Sequence, residues 1–136
     1  MIYSLPQAVD QTAVKFPDRE AIRCNGKGIS YATLQQQANN LAAILQQQGV
    51  KRGDRVGIYI NKDIESAVSI YGIMKAGAAY VPLDPFAPVE RLSYVISDCQ
   101  IETIITKQNK LAQVRSMVAD TNLNCLIGVE PQEDLA

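Results

Sequence analysis

Apolar positions along this chain alternate between two rhythms, helical steps of three and four residues and short unbroken runs, with turn residues where one gives way to the other. Leu5, Val9, Ala13 and Phe16 share one stripe, which predicts an amphipathic helix over 5–16 that Pro17 and Asp18 stop. Glu20–Cys24 reads as a strand, Asn25-Gly26-Lys27-Gly28 as a tight turn with positive φ angles, and Ile29 as the start of a return strand. A β-hairpin therefore follows the helix. Ser30 is placed to cap a second helix that buries Tyr31, Leu34, Ala38, Leu41 and Leu45, turns Gln35, Gln36, Asn39, Gln46 and Gln47 mostly to water, and closes at Gly49. Thr33 stands three residues after the cap, where glutamate would complete a capping box; threonine reaches back less well, so this helix start is expected to fray.

Val56–Ile60 is a continuous apolar run of the kind buried on both faces of a parallel sheet, and a central position is expected for it. Asn61 is read as the cap of a helix with Asp63 and Glu65 at its positive end, Lys75 at its negative end, and Ile64, Val68, Tyr71 and Met74 on one side. Gly77 ends it, and Ala79–Val81 is the next strand. Pro82–Ala87 forms a loop, and Pro88 begins a helix with Leu92, Val95, Ile96 and Cys99 on one face. A strand over 102–106, a shorter helix over 109–118, a last strand over 125–129 and an acidic tail over 130–136 complete the pattern. The predicted fold is α/β, a doubly wound, mainly parallel sheet preceded by an N-terminal helix and β-hairpin.

A length of 136 residues with 47% hydrophobic and 20% charged positions fits one globular domain. Thirteen basic against fourteen acidic residues, with no basic block, give a net charge of −1 and no footprint for nucleic acid or an anionic membrane. No apolar run reaches membrane-spanning length, and Met1–Pro6 lacks a basic start and a long apolar stretch, so the chain reads as cytoplasmic. Cys24, Cys99 and Cys125, odd in number and widely spaced, read as reduced, buried thiols.

The absence of histidine excludes the usual serine and cysteine triads and most zinc sites. Gly26-Lys27-Gly28 lacks the spaced glycine and Lys-Ser/Thr pair of a phosphate loop and reads as a hairpin turn. Gly49-Val50-Lys51-Arg52-Gly53-Asp54 follows a helix C-terminus, which repels anions, and reads as a solvated connector. Asp84 falls at the carboxyl end of a strand, the edge where open α/β sheets hold ligands; a turn cap or an ion pair with Arg91 is the competing role. Glu90 matches the helix dipole, and Cys99 and Cys125 fall on core-facing positions.

Two blocks carry a family resemblance. Ile29-Ser30-Tyr31-Ala32-Thr33-Leu34 resembles the first core motif of adenylate-forming enzymes, through Ser30, Tyr31 and Leu34. Met74-Lys75-Ala76-Gly77-Ala78-Ala79-Tyr80-Val81-Pro82-Leu83-Asp84-Pro85, followed by Pro88-Val89-Glu90-Arg91-Leu92, resembles a second, in the right order and at the right distance. This family comprises nonribosomal peptide synthetase adenylation domains, acyl-CoA synthetases and luciferases, and the second block is most similar to the amino-acid adenylation enzymes that load carrier proteins. Thr33 departs from the usual acidic residue, and Ala87 from the tyrosine of the peptide-synthetase pattern; with Phe86, this also suits free-standing ligases for amino or aryl acids.

The resemblance implies a parent several times longer that joins a carboxylic acid to ATP, with magnesium, releases pyrophosphate, and passes the acyl group to a phosphopantetheine thiol on a carrier protein or CoA. The family's phosphate loop, substrate pocket, nucleotide contacts and catalytic lysine lie beyond the matching region. No catalytic, cofactor-binding or metal residue is therefore carried over, and the motif residues are expected to be structural, with the Asp84–Pro88 loop nearest the thiol's passage. The chain is expected to be the N-terminal portion of such a ligase, inactive alone, with the rest of the ligase or a carrier protein as partner. Competing readings are a stand-alone interaction module or pseudoenzyme, and a flavodoxin-like binding domain, against which the motif spacing argues. A weak homodimer through an exposed sheet edge, by way of the 125–129 strand or the first helix, is a further expectation.

Overall fold

The computed structural model describes residues 4–118 and 121–129; the first three residues and the acidic tail expected over 130–136 lie outside these. The chain divides into two compact units, one built from residues up to Asp54 together with Lys62–Tyr80, the other from Arg55–Asn61 together with residues from Val81 on.

In the first unit, Ser4 opens α1 (Leu5–Lys15) with a reciprocal cap: its hydroxyl accepts from the Gln7 amide at 3.4 Å, and the Gln7 side chain accepts from the Ser4 amide at 3.1 Å. Pro6, Val9 and Ala13 form the buried face. The expected stripe fails at its ends, because Leu5 precedes the first full turn and Phe16 lies past the helix, where the Arg19 guanidinium covers its ring at 4.2 Å. The hairpin pairs β1 (Glu20–Cys24) with β2 (Lys27–Ser30), Cys24 opposite Lys27. Its loop is only two residues long, Asn25 at φ 55 and Gly26 at φ 78, so Lys27 and Gly28 belong to the strand, not to the expected four-residue turn.

The helix α2 (Tyr31–Gln47) does not fray at its start. Ser30 Oγ accepts from the Thr33 amide at 3.1 Å, the Tyr31 amide donates to Arg19 O at 2.9 Å, and the Ala32 amide donates to Pro17 O at 3.0 Å. The incoming chain thus supplies acceptors for two first-turn amides that have no partner within the helix. The next helix, α3 (Ile64–Lys75), is capped by Asp63, not Asn61: Asp63 Oδ1 accepts from the Ser66 amide at 3.0 Å and Ser66 Oγ accepts from the Asp63 amide at 3.2 Å. A carboxylate there also meets the positive helix end. Helices α2 and α3 approach closely at Gly72, where a Cβ would stand 2.7 Å from Leu41 Cδ2. Val9, Leu34 and Val68 centre a core flanked by Ile22, Ile29, Tyr31 and Tyr71.

A four-stranded sheet has the order β4-β3-β5-β6, from β3 (Arg55–Tyr59), β4 (Ala79–Pro82), β5 (Thr103–Thr106) and β6 (Cys125–Gly128). Val56 pairs in parallel with Thr103, and Thr103 with Cys125. The chain steps from β3 to β4, then returns past β3 to β5 and β6, the reversal that makes the sheet doubly wound. As expected, β3 is internal, and every residue of it after Arg55 is buried. In the second unit α4 (Val89–Asp98), with Pro88 as N-cap, and α5 (Leu111–Met117), entered through a 3-10 turn at Gln108–Lys110, enclose a core of Tyr59, Leu83, Leu92, Ile96, Ile101, Ile104, Val114 and Met117. Cys24, Cys99 and Cys125 are only half-buried, Cys99 packing against this core from its edge, and none of the three is in a disulfide.

Candidate functional site

The winding reverses between β3 and β5, and in an open α/β sheet the crevice outside the carboxyl ends of such strands is where ligands bind. The loop from β4 to α4 crosses this edge within the second unit. Leu83, 3% exposed, anchors it: its amide donates to Ile58 O at 2.9 Å and prolongs the strand pairing by one residue. Asp84 then shapes a tight turn. Its Oδ1 accepts from the Phe86 amide at 2.9 Å and its carbonyl accepts from the Ala87 amide at 3.1 Å, leaving Phe86 at the tip, 89% exposed. The ion pair with Arg91 does not form; the carboxylate faces its own turn, and Arg91 is exposed.

Beneath the loop, the buried Tyr59 hydroxyl donates to Pro85 O at 3.5 Å, and Thr106 Oγ1 donates to Tyr59 O at 2.8 Å. Burial, with the Asp84 carboxylate adding to it, holds the Tyr59 phenol above its ordinary pKa. Sequence reasoning passed over both residues as strand interior. The available signal was a polar group at the last position of each of two strands with apolar interiors.

The remaining motif residues lie elsewhere. Ser30 caps α2, Tyr31 packs against the first unit's core, and Leu34 is 2% exposed within it. Lys75, expected only to meet a helix dipole, has a side chain 11% exposed whose Nζ donates to Asp10 Oδ1 at 2.6 Å and also to Asn39 Oδ1. Asp10 accepts from Gln35 as well, at 3.1 Å, so α1, α2 and α3 meet at one polar knot. Ala76 and Gly77 close α3, while Tyr80, Pro82, Pro88 and Glu90 are exposed and Pro85 is partly buried.

Of the two glycine-lysine runs, Gly26-Lys27-Gly28 is turn and strand, and after Gly49 the amides of Lys51, Gly53 and Asp54 are engaged by Asp54 Oδ2 at 2.8 Å, Gly77 O at 3.0 Å and Lys51 O at 3.0 Å. Among the described residues no group of three or more histidine, cysteine, aspartate or glutamate side chains could hold a metal ion, and no helix is long and apolar enough to cross a membrane.

This fold is that of the N-terminal subdomain of adenylate-forming enzymes, and the chain belongs to the AMP-binding enzyme family, whose profile matches residues 9–134. It is 39% identical over 115 residues to Tyrocidine synthase 3 of Brevibacillus parabrevis, which covers 85% of this chain and 2% of that protein. The N-terminal subdomain of NpsA from Klebsiella oxytoca, in complex with 3-hydroxybenzoyl-AMSN, superposes with a TM-score of 0.78 at 27% identity, over 93% of this chain and 30% of that chain. The N-terminal domain of FACL13 from Mycobacterium tuberculosis shares the fold with a TM-score of 0.84 at 23% identity, over 94% of this chain and 34% of that chain. The chain thus spans 2% of Tyrocidine synthase 3 and about a third of the FACL13 and NpsA chains.

Proposed function

We propose that this chain is the N-terminal part of an amino-acid- or acyl-activating AMP-forming ligase, contributing scaffold and not chemistry. The observation that carries this reading is the family match over residues 9–134 combined with a fold in which Ser30, Asp63 and Gly77 serve helix ends. The whole enzyme would form an acyl adenylate from a carboxylate and magnesium ATP, then a thioester on a carrier protein or CoA. The chain alone would be inactive, because neither glycine-lysine run can cradle a phosphate. Its partner would be the rest of the ligase or a carrier protein, and three cysteines outside any disulfide suit a reducing, cytoplasmic setting.

The test is pyrophosphate exchange and calorimetry on the chain alone, with magnesium ATP and a panel of amino and aryl acids. No exchange and no saturable heat are expected. A stoichiometric ATP site of micromolar affinity would overturn the reading.

A further inference from the structure

The loop between β4 and α4 is firm at both ends and lightly held in the middle. Leu83 is buried and bonded to Ile58 O, and the Leu92 amide closes the first turn of α4 on Pro88 O at 3.1 Å. Between these anchors Asp84 accepts from the Phe86 and Ala87 amides, and prolines at 85 and 88 fix two more φ angles, so residues 84–87 form a block that moves as one piece. Among the described residues, one hydrogen bond joins this block to the sheet. It runs from the Tyr59 hydroxyl to Pro85 O at 3.5 Å, near the outer limit for such a bond. The apolar hold is also slight, because Phe86, the largest side chain of the block, is exposed and the small Ala87 packs against the core.

We propose that residues 84–87 form a strap over the carboxyl end of β3 and that the Tyr59 hydroxyl is its latch, a positioning group for the loop. The Tyr59 ring is buried in the core with Leu83 and Leu92, the residues that flank the strap, and Thr106 Oγ1 holds the Tyr59 carbonyl at 2.8 Å, so the phenol stays fixed while the block above it lifts. β3 is an internal strand, so the strap lies over the interior of the sheet and not over one of its edges. Lifting it hands the hydroxyl from one long bond to water or to a polar group of an incoming molecule, at the end of the strand where open α/β sheets take ligands. A long bond suits this role, since it selects one closed position and is easily exchanged for another. The latch and the strap both belong to this chain, whatever the rest of a ligase contributes.

Chymotrypsin reads the strap on the chain as it stands. Phe86 offers it an exposed aromatic with proline before it, whereas Phe16 is followed by Pro17, which blocks the cut. Under limiting protease, the rate of the Phe86–Ala87 cut, identified by mass spectrometry of fragments 1–86 and 87–136, follows the population of lifted strap. Tyr59→Phe keeps the ring and its packing, removes the latch, and should speed the cut by about threefold or more. Ile105→Val is the control: by strand alternation Ile105 faces away from the core that holds Ile104 and Tyr59, and loss of one buried methyl should lower the urea midpoint without changing the cut. A cut no faster in Tyr59→Phe than in wild type would overturn the proposal. So would a cut that Ile105→Val speeds as much as Tyr59→Phe does, because cleavage would then await unfolding of the whole unit.

Discussion

Replacing Gly77 by alanine isolates one physical quantity, the cost of a left-handed backbone. Gly77 follows α3 at φ +84, its amide donates to Met74 O at 3.0 Å, and the Ala78 amide donates to Ile73 O at 3.1 Å, the paired bonds of a Schellman closure. An added Cβ would meet Arg52 atoms no closer than 3.6 Å, ordinary contact, so no clash enters the sum. Strain of roughly 1–2 kcal/mol for an L-residue in this region, less roughly 0.4–1 kcal/mol from a stiffer unfolded chain, leaves a loss of about 1 kcal/mol. With a urea slope near 2 kcal/mol per molar, the midpoint should fall by about 0.5 M. Two internal controls bracket the value. Gln100 occupies the same position after α4 at φ 55, with its amide on Ser97 O and the Ile101 amide on Ile96 O, so Gln100→Gly should stabilise by about 0.5 kcal/mol. Gly28→Ala meets the Glu20 carboxylate at 2.7 Å, but that exposed side chain can swing away, so its cost should be about 0–0.5 kcal/mol. Urea melts followed by circular dichroism would measure all three. A Gly77→Ala midpoint equal to wild type, or a larger loss in Gly28→Ala, would refute the reasoning.

The packing at Gly72 makes a second prediction: Gly72→Ala should destabilise by about 1–2 kcal/mol despite alanine's helix propensity, because its Cβ would stand 2.7 Å from Leu41 Cδ2, and Leu41→Ala in the same chain should recover part of that loss in a double-mutant cycle. Thr33→Glu, which would normally add a capping box, should change stability by less than about 0.5 kcal/mol, since the Tyr31, Ala32 and Thr33 amides already have acceptors in Arg19 O, Pro17 O and Ser30 Oγ and a new carboxylate would add at most a contact to the Ser30 amide; a gain of about 1 kcal/mol or more in a thermal melt would contradict this. Tyr59 sets a pH dependence. Because its phenol titrates higher in the folded than in the unfolded chain, the stability it carries is intact below the unfolded value near 10 and is lost as pH rises from there through the folded value. The alkaline loss measured by urea melts should therefore be shallower in Tyr59→Phe than in wild type.

Local chemistry made much of the fold legible. Asn25-Gly26 marks a two-residue hairpin, Ser30 and Gly77 mark helix ends, and the apolar run from Val56 marks an internal strand; each signal is complete within a few residues. What escaped depends on partners distant in sequence. Tyr59 and Thr106 read as strand interior until the parallel register brings the last residue of β5 against Tyr59 O. Lys75 reads as a dipole partner until α1 presents Asp10, sixty-five residues earlier. Even the misassigned cap follows this rule: Asn61 and Asp63 are equally good caps in isolation, and the choice falls to Asp63 because strand burial continues through Ile60 and Ser66 answers from the first turn.

The densest stretch of the chain shows how structural demands alone can produce a conspicuous motif. Between Lys75 and Ala79 the backbone must end a helix, reverse, and enter a strand within five residues. Lys75 ties α3 to Asp10, Ala76 is the cap at 7% exposure, Gly77 takes φ +84, and the Ala79 amide donates to Asp54 O at 2.8 Å to start the sheet pairing. Gly77 O at the same time accepts from the Gly53 amide at 3.0 Å, which fixes the connector ahead of β3. Each of these demands restricts one position to a narrow set of residues: a long cation, a small side chain, glycine, an amide donor. Stacking them on successive residues produces a motif as dense as an active-site signature out of groups that hold the chain.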